Sequence, residues 1–369
     1  MYYYPFHDLS VSALGIGSLR LPARPEDPNC IDREKAQKVI DYALGHGINF
    51  VDTAYTYHDG DSERFLGESL KKHNRSSYYL SSKYYVSANP DIRALFEEQL
   101  RRLQTDYLDF YLLHGMDENS FDAFTDESRD YIGFLQEQKR LGRIRYLGFS
   151  SHAAPETLSR FLEWYDGFDM ALLQLNYIDW KLLNAKRQYE IVTAHNIPIW
   201  VMEPMKGGIL SSLNPKAAKI LKDAAPNRSL ASWGFRFLMG LPNVRTILSG
   251  MSSIAQIKDN LTIFDKPDPL SIQETKILEK AADAFLEDRS VPCTGCRYCC
   301  SVCPAGLDIP LLIKGYNEHR VSGETWRIAE LSRIKHGPES CLQCGLCLKH
   351  CPQKIEIPHI MKQFAAVRK

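Results

Sequence analysis

The sequence predicts a closed (β/α)8 barrel followed by a smaller, mainly helical domain that is rich in cysteine. Three observations on the 369 residues predict this arrangement. Short apolar segments alternate with amphipathic segments eight times within about 250 residues. Nine of the ten cysteines lie between residues 293 and 351, and the net charge changes sign near residue 288. We therefore expect an α/β protein of two domains.

Composition narrows the class of protein further. Hydrophobic residues make up 44% and charged residues 24% of the chain, which excludes a disordered protein. Lys plus Arg and Asp plus Glu both total 45, so no overall field attracts nucleic acid. No apolar segment approaches the ~20 residues of a membrane span, and the N-terminal segment lacks the features of a secretory signal. We therefore expect a cytoplasmic protein with no membrane span and no nucleic-acid partner.

The boundary between the two domains is predicted from the charge distribution. Residues 289–369 carry 12 Lys and Arg against 6 Asp and Glu, whereas the remaining residues carry an excess of six acidic side chains. Residues 265–269, Asp-Lys-Pro-Asp-Pro, interrupt the pattern, and residues 273–286 then have the pattern of one more helix. We expect a barrel domain with this additional helix at residues 1–288 and a cysteine-rich domain at residues 289–369.

Eight strands, with helices between them, define the expected barrel. The predicted strands are Ala13–Arg20, Ile48–Ala54, Tyr78–Lys83, Tyr107–His114, Ile144–Ser150, Met170–Asn176, Ile197–Glu203 and Val244–Gly250. The predicted helices include Glu34–Gly45, Ser62–Lys71, Ile92–Leu103, Ala185–His195 and Leu230–Met239. An open doubly wound sheet is the competing fold. It normally carries a Gly-x-Gly-x-x-Gly turn after its first strand, and the pair Gly15 and Gly17 lacks the third glycine.

Two four-cysteine motifs dominate the C-terminal domain. Residues 293–304 and 341–352 both contain Cys-x2-Cys-x2-Cys-x3-Cys-Pro, with an offset of 48 residues. The motif cysteines are Cys293, Cys296, Cys299 and Cys303, and then Cys341, Cys344, Cys347 and Cys351. The repeat extends beyond the cysteines, because the residues 308–310, Asp-Ile-Pro, recur as Glu-Ile-Pro at 356–358. A whole binding unit is therefore duplicated.

This cysteine spacing predicts two [4Fe-4S] clusters. Three closely spaced thiolates can hold one cluster, and the fourth, which precedes a proline, binds the other cluster in two-cluster ferredoxins. We therefore expect Cys351 to complete the first cluster and Cys303 the second. Structural zinc is the alternative, but zinc sites usually pair two Cys-x2-Cys arms. Cys300 breaks the repeat, since Leu348 is its counterpart, and we interpret it as a small hydrophobe rather than a spare ligand.

The segment between the two motifs has a helical pattern. Apolar side chains recur at helical spacing at Ile309, Leu312, Ile313 and Tyr316. A second helix is suggested by Trp326, Ala329 and Leu331. This domain resembles the helical, ferredoxin-like dicluster modules of respiratory and heterodisulfide-reducing complexes.

Four polar side chains lie at the predicted C-terminal ends of consecutive strands, where (β/α)8 enzymes carry their chemistry. Asp52 and Tyr57 follow the second strand, Lys83 ends the third and His114 ends the fourth. A phenol has a pKa near 10, so a neighbouring ammonium is needed to favour the phenolate, and a carboxylate holds that ammonium. His114 can orient a carbonyl oxygen beside the phenol. The alternative is a structural Lys–Asp pair with the other two merely nearby.

The barrel region resembles the aldo-keto reductases across residues 8–265. The matching segments are GINFVDTAYTYHDGDSERFLGESL, YYLSSKYY, YLDFYLLHGMD, GRIRYLGFSSH and ILSGMSSIAQIKDN. This resemblance implies an NAD(P)H-dependent reductase of small-molecule carbonyl compounds that uses an Asp–Tyr–Lys–His tetrad and no metal. The family's tetrad tyrosine lies five residues after its aspartate, which selects Tyr57 over Tyr55.

The resemblance also implies contacts to the cofactor. Ser150 and Gln174 match the residues that bind the carboxamide, and Asn260 matches the residue that contacts the adenine. Ser151 stands where the family has an asparagine. Met202 replaces the tyrosine that stacks on the nicotinamide ring, and a thioether can still cover an aromatic face.

The 2′-phosphate contacts depart from the family pattern. Gly250 and Gln256 replace the Lys and Arg that hold this phosphate, so two charge-assisted hydrogen bonds are missing. Lys258 or Lys206 are candidates to compensate. The choice between NADP(H) and NAD(H) therefore stays open.

The fusion of a barrel with a cluster domain leaves three hypotheses. A nicotinamide moves two electrons as a hydride, whereas each cluster moves one, and no flavin-binding turn is visible. In the first, the chain is a carbonyl reductase whose clusters couple it to a partner. In the second, it is an electron-delivering reductase that works with a ferredoxin or flavoprotein. In the third, it is a non-catalytic subunit that binds the cofactor. We expect the substrate loops at Met116–Phe124 and Lys206–Asn227, and the cluster domain at the back of the barrel.

Overall fold

The computed structural model describes residues 1–368 and contains the closed barrel that the sequence predicts. Its strands are β1 (Tyr3–Phe6), β2 (Leu9–Ser12), β3 (Leu14–Gly17), β4 (Ala23–Arg24), β5 (Asp27–Ile31), β6 (Phe50–Asp52), β7 (Tyr79–Tyr84), β8 (Leu108–Met116), β9 (Ile144–Ser151), β10 (Met170–Gln174), β11 (Ile199–Met202) and β12 (Val244–Ser249). The barrel closes in the order β3, β6, β7, β8, β9, β10, β11, β12, with parallel neighbours throughout. Each of the eight predicted strands overlaps one barrel strand.

The helices alternate with these strands and continue into the C-terminal domain. They are α1 (Arg33–Gly45), α2 (Asp61–Ser69), α3 (Ile92–Leu103), α4 (Phe121–Phe124), α5 (Tyr131–Arg140), α6 (Pro155–Trp164), α7 (Asp179–Leu182), α8 (Ala185–Ala194), α9 (Pro215–Ala224), α10 (Leu230–Met239), α11 (Ile254–Ile263), α12 (Ile272–Leu286), α13 (Ile309–Ser322) and α14 (Ile357–Val367). Local capping explains several boundaries. Ser271 and Glu274 form a reciprocal capping box at the start of α12, for example.

The N-terminal hairpin closes one end of the barrel. Strands β1 and β2 pair antiparallel, and Phe6 packs edge-on against Trp200 with ring centroids 4.8 Å apart. Phe50 and Phe110 are buried in the same apolar cluster. The C-terminal ends of the eight strands lie at the opposite end, which the hairpin does not cover, and we call that end the mouth.

The C-terminal domain has its own small core between α13 and α14. Helix α13 ends at Ser322 and is capped by Gly323, which adopts a left-handed conformation with φ of 79°. The prediction of a second helix around Trp326 was wrong, because this segment forms a single 3-10 turn at Ala329–Ser332. Helix α14 was not predicted, although Pro358 in its first turn matches Pro310 in the first turn of α13.

The C-terminal domain lies across the mouth of the barrel rather than at its back. Ser332 Oγ donates to Asn119 Oδ1 at 2.7 Å, in the loop after β8. The ring of Trp326 packs edge-on against His152, in the loop after β9, at 5.0 Å between centroids. The prediction that this domain lies at the back of the barrel was wrong, because the loops that it contacts follow the C-terminal ends of barrel strands.

No helix among residues 1–368 is long and apolar enough to cross a membrane.

Candidate active site and cluster cavities

The mouth brings together the four polar side chains that the sequence singled out. Asp52 ends β6, Lys83 lies near the end of β7 and His114 near the end of β8, so three neighbouring strands present them. Lys83 Nζ donates to Asp52 Oδ2 at 2.7 Å and to the Tyr57 hydroxyl at 3.4 Å. The Tyr57 and His114 rings meet edge-on with centroids 6.0 Å apart. The four groups therefore form one cluster.

Lys83 is the centre of this cluster. Its side chain is 1% exposed, and its third hydrogen bond goes to the Thr53 carbonyl oxygen at 2.6 Å. Burial lowers the pKa of Lys83, but the Asp52 carboxylate and the Tyr57 phenol outweigh burial, so the pKa is raised. Ser81 Oγ donates to the second Asp52 oxygen at 3.0 Å. Lys83 is thus a fixed ammonium with its hydrogen bonds satisfied inside the chain.

Tyr57, and not Tyr55, points toward Lys83. The ring of Tyr55 instead stacks with the Arg102 guanidinium, whose carbon lies 4.1 Å from the ring centroid. A tight turn follows Tyr57, in which His58 and Asp59 have φ angles of 51° and 53°. This turn reverses the chain directly after the phenol and so fixes its position at the mouth.

The protonation states at the mouth favour a neutral phenol and a neutral imidazole. Burial raises the pKa of Tyr57, and the opposing effect of Lys83 does not cancel it. Burial, followed by the charge of Lys83, brings the pKa of His114 well below its ordinary value of 6.5. Tyr57 therefore keeps its proton at neutral pH and could donate it, and His114 could offer a ring N–H to an oxygen.

The residues expected to hold the carboxamide lie on the next strands around the mouth. Ser150 Oγ accepts from the Gly115 N–H at 2.8 Å, which leaves its own hydroxyl hydrogen free to donate. Gln174 Nε2 donates to Asp179 Oδ2 at 2.8 Å, while Gln174 Oε1 is buried without a partner among residues 1–368. One donor and one free acceptor therefore remain, which suits a primary carboxamide.

The flanking positions complete this part of the mouth. Ser151 Oγ accepts from the Ala153 N–H at 3.1 Å, and Met202 ends β11 with its side chain half-buried. His152 lines the same small cavity as Ser151 and Gln174. Burial lowers the pKa of His152 to about 4, so this ring is neutral at pH 7.

The positions expected near the adenine end lie beyond β12. Asn260 is buried on α11, and its Nδ2 donates to Ser249 Oγ at 3.2 Å. Gln256 folds back toward its own loop, where its Oε1 accepts from the Ser252 N–H at 2.8 Å. Gly250 is exposed directly after the strand. These residues lie near the C-terminal end of β12, but none of them is a cation that could contact a 2′-phosphate.

Arg20 occupies the space that the missing side chain of Gly250 leaves. A Cβ at Gly250 would lie 2.9 Å from Arg20 Cβ, and a Cβ at Gly207 would lie 2.8 Å from Arg20 Nη2. The arginine therefore extends across the mouth between two glycines. Lys206 is completely buried in an ion pair, and Lys258 lies 5.8 Å from the ring centroid of Tyr42. Of the three cationic side chains Arg20, Lys206 and Lys258, it is Arg20 that lies beside Gly250 and is therefore the candidate for a phosphate contact.

The eight motif cysteines line two separate cavities, four of them around each. The first is lined by Cys293, Cys296, Cys299 and Cys351. The second is lined by Cys303, Cys341, Cys344 and Cys347. Each cavity thus combines three cysteines of one motif with the last cysteine of the other, which is the crossed arrangement of two-cluster ferredoxins. Cys300 is half-buried against the domain core and lines neither cavity.

The donor set fits iron–sulfur clusters. Within residues 1–368, no three His, Cys, Asp or Glu side chains converge closely enough for a single metal ion. Tetrahedral zinc needs four ligand atoms about 2.0–2.3 Å from one centre, whereas a cubane spreads four thiolates over its corners. Four thiols around a wider cavity therefore suit a [4Fe-4S] cluster.

Sequence reasoning missed a set of buried charges between the two domains. Lys206 of the barrel pairs with Glu318 of α13 at 2.9 Å, and Arg327 pairs with Glu203 at 3.3 Å. Lys206 also pairs with Asp179 at 2.7 Å. Nothing in the local sequence signals these pairs, since Lys206 and Glu318 are 112 residues apart.

Comparison with known proteins assigns both parts of the chain. Residues 13–283 match the model of the aldo/keto reductase family, and residues 292–356 match that of the 4Fe-4S dicluster domain. The fold and the mouth define a (β/α)8 oxidoreductase with a ferredoxin-type domain. The chain belongs to the aldo/keto reductase family.

Individual relatives agree with this assignment. The chain is 26% identical to the uncharacterized oxidoreductase YqkF of Bacillus subtilis over 284 residues, or 69% of this chain and 87% of the relative. An aldo-keto reductase of Bacillus halodurans in its holo form aligns with a TM-score of 0.63 at 28% identity, over 77% of this chain and 97% of that one. A Klebsiella pneumoniae aldo-keto reductase in complex with NADPH aligns with a TM-score of 0.59 at 22% identity, over 76% and 94%. The last similarity supports the fold alone.

Proposed function

We propose that this chain is an NAD(P)H-dependent carbonyl reductase whose barrel, at residues 1–288, carries the chemistry and whose domain at residues 289–369 binds two [4Fe-4S] clusters. The observation that carries the proposal is the position of Lys83 Nζ, which contacts both Asp52 and the Tyr57 hydroxyl at the mouth. A phenol beside a fixed ammonium is a proton donor whose conjugate base is stabilised.

Each residue of the cluster then has one role. Tyr57 donates its phenolic proton to the carbonyl oxygen of a small aldehyde or ketone, and Lys83 stabilises the phenolate that remains. Asp52 holds the ammonium in place, and the neutral His114 directs an N–H to the same oxygen. A bound nicotinamide supplies a hydride to the carbonyl carbon.

The cofactor is held by the residues that continue around the mouth. Ser150 and Gln174 present a donor and an acceptor to the carboxamide, with Ser151 beside them. Met202 covers one side of the ring, as a polarizable thioether can. The remaining contacts follow β12, where Gly250, Gln256 and Asn260 lie near the adenine end.

Arg20 is our candidate for a phosphate contact at that end. The aliphatic part of its side chain lies beside Gly250, where the family's usual cations are replaced, and its guanidinium lies beside Gly207. A guanidinium can bind a phosphate through two parallel hydrogen bonds. We propose on this basis that NADPH is accepted, with Arg20 as the residue that discriminates it from NADH.

The test compares two tyrosines two residues apart. Anaerobic oxidation of NADPH and NADH is measured with a panel of aldehydes and ketones for the parent protein, Tyr57→Phe and Tyr55→Phe. We expect Tyr57→Phe to lower kcat by about 10²- to 10⁴-fold, the usual contribution of general acid catalysis. Tyr55→Phe is the matched control, and it should retain the parent rate. An unchanged rate in Tyr57→Phe would reject the proposed role.

A second candidate function is electron exchange with a protein partner. Cys296 and Cys344 are exposed, and the exposed side chains of Tyr298, Leu342 and Leu346 lie beside them in the chain. Bound clusters carry single electrons. We propose that the exposed apolar side chains next to these cysteines contact a ferredoxin or flavoprotein.

This second function has its own test. Clusters reduced by a low-potential ferredoxin should yield product from a carbonyl compound without any nicotinamide. A subunit without catalytic activity, the remaining alternative, would instead bind the dinucleotide without turning over any compound in the panel.

A further inference from the structure

A network of buried charges joins the cluster domain to the mouth. Lys206 Nζ donates to Asp179 Oδ1 at 2.7 Å and to both carboxylate oxygens of Glu318 at 2.9 Å. All three side chains are fully buried. Lys206 and Asp179 follow barrel strands, whereas Glu318 lies on α13. A charge buried this deeply needs its partners, so the two domains depend on each other here.

The same network fixes the orientation of one side-chain amide at the mouth. The second Asp179 oxygen accepts from Gln174 Nε2 at 2.8 Å and from Asn176 Nδ2 at 2.6 Å. An ionised carboxylate only accepts hydrogen bonds, so Gln174 must turn its NH2 group toward Asp179. Gln174 Oε1 is then directed away from Asp179 and lies near the His152 ring, and it is a buried acceptor without a well-formed hydrogen bond within residues 1–368. A ligand N–H would remove the cost of leaving this oxygen unpaired.

Arg327 links the cluster domain to the mouth a second time. Its guanidinium pairs with Glu318 at 3.4 Å and with Glu203 at 3.3 Å. Arg327 also lines the small cavity that Ser151 and Gln174 line. The cluster domain therefore forms one wall of the space beside the free acceptor.

We propose that Glu318 of the cluster domain is a positioning residue for the nicotinamide end of the cofactor. It anchors Lys206, which anchors Asp179, which holds Gln174 with its oxygen free for the carboxamide N–H. This inference rests on the proposed function, because it requires a nicotinamide cofactor at the mouth. The cluster domain is then a structural part of the cofactor site as well as a carrier of clusters.

Loss of the Glu318 charge should change the orientation of the Gln174 amide through Lys206 and Asp179. In Glu318→Gln the buried Lys206 ammonium keeps a single carboxylate partner, Asp179. Lys206 is drawn onto that carboxylate and competes with Gln174 for its oxygens. The amide of Gln174 then loses its fixed orientation, and the carboxamide loses its acceptor.

The experiment measures dinucleotide binding to the cluster-loaded protein by anaerobic calorimetry. Two probes are compared, namely NADPH and 2′-phospho-ADP-ribose, which lacks the nicotinamide; NADH and ADP-ribose are the equivalent pair. For Glu318→Gln we expect the Kd of the whole dinucleotide to rise about tenfold, which is about 1.4 kcal/mol at 25 °C. The Kd of the nicotinamide-free probe should stay the same.

Two further variants separate positioning from a general structural role. Ser332→Ala removes a different cross-domain hydrogen bond, the one to Asn119, and should leave the Kd of both probes unchanged. In a Gln174→Ala background, Glu318→Gln should add no further loss, because residues that act through one another are not additive. Iron and sulfide content confirms that each variant carries its clusters. Glu318→Asp, which keeps the charge, should show a smaller rise for the dinucleotide alone.

Three outcomes of the binding measurements on the variants would overturn the inference directly. These are an unchanged Kd for the dinucleotide in both Glu318 variants, an equal loss for the two probes, or additive losses in the Gln174→Ala background. Failure of the parent protein to bind either dinucleotide would instead overturn the proposed function, and the inference with it. Loss of clusters in both Glu318 variants, with Ser332→Ala intact, would assign Glu318 a structural role and also reject positioning.

Discussion

The mouth of the barrel and the cluster domain hold their functional side chains in opposite ways. At the mouth, Lys83 makes three hydrogen bonds to groups of the same chain, so its position needs no ligand. In the cluster domain, eight cysteines surround two cavities, and the domain core itself includes several of them. The proposed catalytic groups are therefore preorganised by the fold, whereas the cysteines line the space for the clusters that we propose they bind.

The largest effect should follow from loss of the ammonium that preorganises the mouth. Lys83→Met is expected to lower kcat by about 10²- to 10⁴-fold, because the phenolate loses its stabilising charge. The variant leaves Asp52 buried without its cation, so Lys83→Met combined with Asp52→Asn is measured as well. Steady-state rates and circular dichroism check both variants, and Lys258→Met is the control. A rate near that of the parent in the folded variants would refute preorganisation by Lys83.

The pH dependence of carbonyl reduction tests the proposed protonation state of Tyr57. Reduction needs Tyr57 protonated, and burial raises the pKa of this phenol above its ordinary value of 10.0. The rate should therefore stay level through neutral pH and fall about tenfold per pH unit above the raised pKa. His114 adds no acid limb near neutrality, because its pKa is lowered and the ring is already neutral. A profile of kcat against pH that falls between pH 7 and 9 would contradict this assignment.

A smaller effect is expected at the adenine end of the mouth. Arg20→Ala should raise the KM for NADPH by about tenfold, the value of one charge-assisted hydrogen bond, and leave the KM for NADH nearly unchanged. The exposed Arg24, a few residues on, gives the matched control Arg24→Ala. Equal losses for both cofactors would show that Arg20 does not contact the 2′-phosphate.

The smallest expected effect is a change of about twofold in bound iron. It tests whether the last cysteine of each motif binds the cluster of the other motif. Cys296 and Cys351 line the same cavity, so the double variant Cys296→Ser with Cys351→Ser should lose one cluster of two. If each motif bound its own cluster, the same double variant would lose both. Cys344→Ser with Cys303→Ser is the symmetric control, and iron and sulfide analysis measures all of them.

The barrel and the motifs were predictable because their signals are local. Each barrel strand is a short apolar segment between polar ones, and the cysteine spacing repeats after 48 residues. The choice of Tyr57 over Tyr55 depended on the resemblance to a family, since both tyrosines follow the same strand. In the structure Tyr57 contacts Lys83, whereas Tyr55 stacks with Arg102.

Contacts between the domains could not be predicted, because they join distant residues. Lys206 was expected in a substrate loop, yet it is buried against Glu318 of the cluster domain. Tertiary contacts also explain the missing second helix. Trp326 packs against His152 and Arg327 pairs with Glu203, so this segment follows the surface of the barrel rather than a helical path. Helical spacing of apolar residues carries no information about such docking.

In the proposed reaction the barrel transfers a hydride directly, and the clusters take no part in this step. The most direct measurement uses a nicotinamide cofactor carrying deuterium at the transferred position, anaerobically, with the best carbonyl substrate of the panel. We expect one deuterium on the carbinol carbon of the product, while the cluster absorbance stays that of the oxidised protein. Product without deuterium, formed as the clusters are reduced and reoxidised, would contradict it.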